Sequence, residues 1–359
     1  MEKLIIGNCV KEMSKMNDKS VDMIFADPPY NLQLSKKLLR PDQTNVEGVN
    51  HEWDKFNSFD AYDKFTTEWL SECKRVLKDD GTIWIIGSYH NIFRVGSQIQ
   101  NLGFWILNDV IWNKTNPMPN FKGNRFTNAH ETLIWASKSK NSKYTFNYKA
   151  MKVANDDKQM RSDWSLPICS GNERVKKLGK TLHPTQKPES LLHRIIISST
   201  KKNDCILDPF FGTGSTGVVA KRLSRKFIGI EQNKEYMQYA KKRIEKTKVL
   251  KDKEITITKD LKSEVKVPFG NLLDSGMLKI GSKLHDINKK HKAVVRADGS
   301  LLTDQKVEGS IHSVGAKIQG HNACNGWQFW YFEKNGELIS INKLREKIRR
   351  NKTNKVNTN

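Results

Sequence analysis

Residues 205–231 read CILDPFFGTGSTGVVAKRLSRKFIGIE. Cys205 to Asp208 is a short apolar run that predicts a buried strand. Gly212 to Gly217 is a glycine-rich turn, where the backbone can bend sharply and a ligand can come close. Val218 to Leu223 opens a helix, and exposed N–H groups at such a start suit a polar or anionic group. Lys226 to Glu231 is a second buried strand, ending on an acid that can accept hydrogen bonds from ribose hydroxyls. Strand, turn, helix, strand and acid in this order predict an α/β fold with a nucleotide-like cofactor. Gly212 to Gly217 also spells GxGxxG, so the turn alone leaves a nicotinamide enzyme and a methyltransferase both open. In the dinucleotide pattern the strand runs straight into the first glycine. Here Asp208-Pro209-Phe210-Phe211 intervenes, and a polar Asp followed by Pro better suits the amino-acid part of S-adenosylmethionine.

Upstream, Lys3 to Ile6 reads as a strand and Val10 to Met16 as an amphipathic stretch. Val21 to Ala26 reads as a buried strand that ends at Asp27-Pro28-Pro29-Tyr30. Two prolines in a row cannot continue a central strand, so the chain leaves the sheet there. Asn31 to Phe56 has no clean period, and a loop of that length inside a compact domain is usually functional. Apolar residues at spacings of 3 to 4 predict a helix from Phe59 to Leu77. Asp79-Asp80-Gly81 predicts a turn, followed by a strand at Thr82 to Gly87. A helix at Asn91 to Leu102 and strands at Trp105 to Trp112 and Glu131 to Ala136 come next. Ser137 to Lys180 is polar, basic and irregular. Helices follow at Leu191 to Ser199 and Lys234 to Lys248.

From Pro268 the character changes. Short runs at Ala293 to Arg296 and Trp327 to Phe332, with turns at Asp298-Gly299 and Asn335-Gly336, predict a small β-rich domain. A basic helix from Ile341 to Arg350 closes it. The expected organisation is a catalytic domain over 1–250, with a target-recognition region at about 113–180. A linker over 251–267 and a C-terminal DNA-binding domain over 268–359 complete it.

The charge points to the partner. Of 359 residues, 62 are Lys or Arg and 39 are Asp or Glu, a net of +23. A field of that size favours a polyanion, nucleic acid before an anionic membrane. Residues 251–359 carry +9 and residues 1–250 carry +14, so both halves could touch the same polyanion. The five cysteines are scattered without CxxC or Cys/His spacing, which predicts free thiols and no metal site. No apolar run approaches the roughly 20 residues of a membrane span, and Met1 to Gly7 turns polar too soon for a signal peptide. The expected location is the cytoplasm, on the nucleoid when DNA is bound.

Asp27-Pro28-Pro29-Tyr30 decides the chemistry. The N6 amine of adenine is a poor nucleophile because its lone pair is delocalised into the ring. A catalyst must accept hydrogen bonds from both N–H bonds. Asp27 supplies a carboxylate, and the Pro28 carbonyl, outside any sheet ladder, supplies a second acceptor. Pro29 stiffens the turn, and Tyr30 offers a face on which an extruded base can stack.

These residues resemble a family. The order Asp-Pro-Pro-Tyr, a long variable region, His183-Pro184-Thr185-Gln186-Lys187-Pro188 and then the Phe-Gly-Thr-Gly turn is similar to the β-class amino-DNA methyltransferases. Further stretches narrow the resemblance. They are Arg40-Pro41-Asp42, Trp53-Asp54-Lys55-Phe56, the Gly87 to Ile92 run, the Asn113 to Phe121 run and Asn128-Ala129-His130-Glu131-Thr132. They resemble the cell-cycle-regulated adenine methyltransferases and the HinfI-type methylases, both of which act on 5′-GANTC-3′. Gly309-Ser310-Ile311-His312-Ser313 and Ala323-Cys324-Asn325-Gly326-Trp327 resemble the C-terminal domain of the first group.

The resemblance implies a Rossmann-like S-adenosylmethionine-dependent sheet with helices on both faces. It implies target-base contacts from Asp27, Pro28, Pro29 and Tyr30. Phe210, Gly212, Thr213, Gly214 and Ser215 would line the cofactor beside Asp27 and Asp208, with Glu231 on the ribose. His183, Thr185 and Lys187 would sit near the methionine carboxylate. Where the family usually has Gly-Asp-Cys, this chain has Gly7-Asn8-Cys9, so Asn8 would accept from the cofactor's adenine without a charge. For DNA, Arg40 is a candidate for guanine, and Leu34, Leu38 and Trp53 for wedging between bases. Asn120, Lys122, Arg125 and Arg161 are candidates for phosphates or bases. Ser310, Asn325 and Trp327 match family positions linked to DNA. A palindromic site favours a homodimer.

Overall fold

The computed structural model describes residues 2–32, 54–120, 123–258, 267–334 and 336–356. The chain divides into two compact units, Met1–Lys259 and Asp260–Asn359. The candidates Leu34, Leu38, Arg40, Trp53 and Lys122 lie outside the described residues.

The first unit begins β1 (Glu2–Ile6), α1 (Cys9–Met13), β2 (Val21–Ala26), α2 (Phe59–Val76), β3 (Leu77–Gly87) and α3 (Ile92–Asn101). It continues β4 (Trp105–Lys114), β5 (His130–Ser137), α4 (Tyr148–Val153), β6 (Asp163–Leu166) and a small hairpin, β7 (Lys176–Lys177) with β8 (Lys180–Thr181). Then come α5 (Glu189–Ser199), β9 (Cys205–Asp208), α6 (Ser215–Arg222), β10 (Lys226–Glu231), α7 (Lys234–Lys246) and α8 (Asp252–Ile255).

Eight strands form one sheet in the order β1-β10-β9-β2-β3-β5-β4-β6. The first five are mutually parallel, and β5 runs antiparallel to both β3 and β4. β2 shows why its run is apolar throughout. Met23 and Phe25 pack into one core with α5, α6 and α7, while Ile24 and Ala26 pack into the other with α1, α2 and α3. A parallel sheet covered on both faces needs apolar residues at every position.

One local expectation holds in modified form and two are corrected. Asp79-Asp80-Gly81 does leave the ladder as expected, but inside a strand: Leu77 pairs with Val21 and Thr82 with Met23, so residues 78–81 bulge out opposite Asp22. Gly81 fits there because a Cβ would meet the Leu77 side chain and the Asp22 carbonyl at under 3 Å. The stretch 137–180 is not wholly irregular: β6 adds to the sheet edge beside β4, and its Trp164 packs against Trp84, which stacks on Trp135. Residues 251–257 also pack rather than dangle, since Ile255 is buried in the core of this unit.

The second unit holds α9 (Gly270–Asp274), β11 (Lys283–His285), β12 (Lys292–Val295), β13 (Leu301–Thr303), β14 (Glu308–Gly309) and α10 (Ile311–Ile318). After these come α11 (Gly326–Phe329), β15 (Tyr331–Lys334), β16 (Glu337–Ser340) and α12 (Ile341–Val356). Its six strands, in the order β14-β13-β12-β11-β15-β16, are antiparallel throughout. Its core gathers Leu284, Val295, Trp330 and Ile341. Trp330 satisfies its indole N–H on the Ile311 carbonyl at 2.9 Å. Trp327 is not on a strand. It lies on α11, where Gly326 permits a backbone approach to Ile311 that no Cβ would allow. No helix among the described residues is long and apolar enough to cross a membrane.

Candidate active site

Parallel pairing places four strand ends side by side. Ile24 pairs with Leu207, Gly229 with Asp208, and Ile6 with Glu231. The residues that follow β1, β2, β9 and β10 therefore converge at one edge of the sheet, where open α/β folds bind ligands. A cavity of about 400 Å3 opens there, within the roughly 300–1,000 Å3 of small-molecule sites. Every catalytic and cofactor candidate named above lines it except Gly214.

One end of the cavity is built from residues 208–231. Gly212 and Gly214 take positive φ, 53° and 80°. A Cβ on Gly214 would stand 2.8 Å from that of Ala240, and one on Gly212 would stand 3.2 Å from His183 Nε2. The glycines thus let α6, α7 and His183 close on the turn. Arg243 of α7 donates to the Thr213 carbonyl at 2.7 Å and to Ser215 at 3.2 Å. Nothing local in the sequence connects it to the turn.

Asp208 works on the turn itself. It accepts from Phe210 N at 3.0 Å and from Thr216 Oγ1 at 2.6 Å. Burial pushes its carboxyl up to about 7, against those hydrogen bonds. Glu231 accepts from Gly212 N at 2.8 Å and from Asn233 N at 2.7 Å, and burial raises it too. Asn8 caps α1, accepting from Lys11 N at 3.2 Å. Burial pushes the Cys9 thiol up to about 12, so it fills space as a neutral thiol near pH 7.

The other end is assembled from distant segments. After Pro29 the chain is held by Asp54, which accepts from Tyr30 N at 2.5 Å, Asn31 N at 2.8 Å and Leu32 N at 2.9 Å. Asn31 sits at φ 53° within that bend. Tyr62 donates to the Pro29 carbonyl at 2.8 Å and accepts from Asn91 at 3.2 Å. No described residue donates to the Pro28 carbonyl. Lys187 donates to Asp27 Oδ2 at 2.7 Å, and its Nζ stands 5.2 Å from the Tyr30 ring centroid. Tyr30 in turn donates to Glu131 at 3.0 Å.

Burial raises Asp27 above the ordinary carboxylate range, with Lys187 opposing. Burial works against the Lys187 charge, but Asp27 and Glu131 outweigh it and raise its pKa. Lys187 is therefore the counter-ion of Asp27 in this structure. His183 packs 4.8 Å from the Tyr236 ring, with Thr185 Oγ1 3.5 Å from its Nδ1.

Three of these residues were not singled out from sequence. Asp54, Tyr62 and Glu131 lie 24, 33 and 101 positions from their hydrogen-bond partners Tyr30, Pro29 and Tyr30. Asp54 and Glu131 do fall inside stretches that carry the family resemblance, which was the available signal.

The DNA candidates are more dispersed. Asn120 donates to the Arg125 carbonyl at 2.8 Å and closes its own loop. Arg125 reaches the Tyr89 hydroxyl, with its guanidinium 5.7 Å from the Tyr89 ring centroid. Arg161 is exposed and forks onto Asp163 at 2.9 and 3.0 Å. In the second unit, Ser310 caps α10 by accepting from Ser313 N. Asn325 is exposed at the start of α11. Trp327 is 6% exposed, beside Phe269 and under the Arg345 guanidinium at 4.5 Å. A core position explains that indole, which contributes only a wall to a shallow groove with His312, Asn325 and Arg345.

The DNA methylase family, covering N6 and N4 methylases, matches residues 21–242. The family described as Restriction Enzyme Adenine Methylase Associated matches residues 238–354. Type II methyltransferase M.HinfI of Haemophilus influenzae is 48% identical over 343 residues, 95% of each chain. Type II methyltransferase M2.LlaDCHI of Lactococcus lactis subsp. cremoris is 48% identical over 245 residues, 68% of this chain and 89% of its own. Among solved structures, M1.HpyAVI in complex with SAM is 32% identical. It covers 68% of this chain and 99% of its own, with a TM-score of 0.50. The cytosine-N4-specific PvuII DNA methyltransferase shares the fold at 21% identity, covering 70% of this chain and 89% of its own, with a TM-score of 0.53.

Proposed function

The chain belongs to the DNA methylase family, and from that premise we propose that it methylates the N6 amine of adenine in duplex 5′-GANTC-3′. One observation carries the base assignment: a largely buried carboxylate, Asp27, and the Pro28 carbonyl, to which no described residue donates, line the same cavity as the glycine turn. S-adenosylmethionine is the methyl donor, and the cavity suits it. Gly212 admits a ligand against His183, and Glu231 stands at the strand end as an acceptor.

When bound, S-adenosylmethionine would supply an electrophilic methyl: as N6–C forms, S–C breaks and the sulfonium becomes a thioether, and the proton that N6 then loses passes to solvent. The chain's residues do the rest by position and electrostatics. Lys187 occupies Asp27 Oδ2, leaving Oδ1 to accept one N6 hydrogen. The Pro28 carbonyl accepts the other. Drawing both hydrogens aside moves the nitrogen lone pair out of conjugation. The buried Tyr30 ring, fixed through its hydroxyl, gives the flipped base a stacking wall.

The GANTC site rests on the resemblance of the stretches from Arg40 to Thr132 to enzymes with that site. Arg40, Leu34, Leu38, Trp53 and Lys122 would then read or open the duplex. Arg125, Arg161 and the exposed Asn325 would add backbone contacts, with the second unit acting as a DNA-binding module. The near-palindromic site favours a homodimer, and a chromosomal substrate favours a cytoplasmic enzyme on the nucleoid. Transfer of labelled methyl into a GANTC duplex and a scrambled duplex tests the site. Label confined to the first supports it, and equal label in both overturns it.

A further inference from the structure

Behind the Asp27 carboxylate lies a buried charge cluster that the transfer step does not itself use. Glu131, at the start of β5, pairs in register with Trp112 of β4. That register brings Lys114, the last residue of β4, to Glu131 Oε1 at 2.8 Å. Glu131 Oε2 accepts from Tyr30 at 3.0 Å and stands 3.8 Å from Lys187 Nζ. Lys187 itself lies 2.7 Å from Asp27. These charged side chains are at most 14% exposed. Two carboxylates and two ammonium groups thus share one nearly dry volume and balance one another.

We propose that Glu131, held by Lys114, is a positioning residue for the base pocket: it fixes the Tyr30 ring and shares the Lys187 ammonium, so that Asp27 stays a strong acceptor. The proposal rests on the reading of Asp27 and Tyr30 as the groups that hold the target base.

Buried ion pairs are costly unless every charge is met. Without the Glu131 charge, the cluster carries an excess positive charge and Lys187 faces Asp27 alone. The Asp27 carboxylate is then spent on its counter-ion and accepts more weakly from the target amine. Its protonation also becomes harder, because the neighbouring anion is gone. Without the Lys114 charge the cluster carries an excess negative charge, and protonation of Asp27 becomes easier. The charged and titratable groups facing Asp27 and Glu131 are Lys187, Lys114 and Tyr30, with Asp208 acting on Asp27 and Arg174 on Lys187 from further out.

The opposite signs supply the test. Single-turnover methyl transfer is measured against pH for the full-length wild type, Glu131→Gln, Lys114→Gln and the double variant. Glu131→Gln keeps the shape and an acceptor for Tyr30. It is expected to slow transfer roughly tenfold, a coupling ordinary for contacting charged residues, and to move the acid limb to lower pH. Lys114→Gln is expected to move the limb to higher pH, and the double variant to bring it back toward wild type. Affinity for S-adenosylmethionine should stay within about twofold, because the cluster lies at the base end.

Glu131→Gln at wild-type speed with an unmoved limb would overturn the proposal. So would variants that are all slower with limbs unmoved, since that is the mark of packing alone. If Glu131→Gln melts below the assay temperature, Lys114→Gln decides: an upward shift supports the proposal and an unmoved limb overturns it. Nucleoside analysis of the wild-type product tests the base assignment separately. If the product is N4-methylcytosine, the adenine reading falls, while the limb shifts still decide the role of Glu131.

Discussion

The two ends of the active-site cavity are built in opposite ways. Most of the cofactor end comes from one stretch, 208–231, in which Asp208, the glycines and Glu231 hydrogen-bond or pack with one another, with His183 and Arg243 packed on it. The base end is collected from Asp27–Tyr30, Asp54, Tyr62, Glu131 and Lys187, joined by hydrogen bonds spanning up to 160 positions. The more local design makes the cofactor end depend less on the rest of the unit than the base end does. The assembled design makes catalysis depend on the register of the whole sheet. If this contrast is right, substitutions at one end should leave the other end's function standing.

The largest expected effect is at the base end. Asp27→Asn should lower the rate of transfer by about 10²–10³, the range for losing one preorganised charge-stabilising group. The dissociation constant for S-adenosylmethionine, measured by calorimetry, should change little. If cofactor binding falls in parallel, the two ends are not separable.

The cofactor end carries its own pH signature. Asp208 is raised from 3.8 to about 7 in the folded chain. A carboxyl raised on folding contributes stability that is complete below its unfolded pKa and is lost as pH climbs through the folded value. The window is therefore about pH 4 to 7. Its upper bound is on the order of 4 kcal/mol at the usual energy per pKa unit. Asp208→Asn should flatten denaturant-measured stability across that window. An unchanged slope would show that the acid is not held protonated by burial.

Gly214→Ala tests the local geometry more gently. The residue sits at φ 80°, and a Cβ would press on Ala240. A cost of about 1–3 kcal/mol should appear as weaker cofactor binding and a lower Tm. Asp27-dependent chemistry at saturating cofactor should persist. The smallest effect is expected from Asn8→Asp. A charged acceptor strengthens a hydrogen bond by about 1 kcal/mol over a neutral one, so affinity for S-adenosylmethionine should rise by no more than a few-fold. A decrease would show that Asn8 does not face the cofactor.

The same contrast explains what could be read from sequence. The cofactor end was legible because its chemistry and its geometry share one stretch of chain. The β2 strand and the Asp-Pro-Pro-Tyr exit were legible for the same reason. The partners of that exit were not, because pairing of β3 with β5 and β5 with β4 brings Glu131 and Lys114 to it. The pairing of Lys187 with Asp27 was not legible either, because 160 positions separate the two. Trp327 misled because alternation over a few residues cannot separate a strand from one turn of helix.

Whether the base end presents the N6 amine of adenine to the methyl donor is read from nucleoside analysis of a GANTC duplex after exhaustive methylation by the wild-type enzyme. The expected product is N6-methyldeoxyadenosine, one per strand, and no other modified nucleoside. N4-methyldeoxycytidine in its place, or an unmodified duplex with cofactor and DNA both bound, would contradict the base assignment.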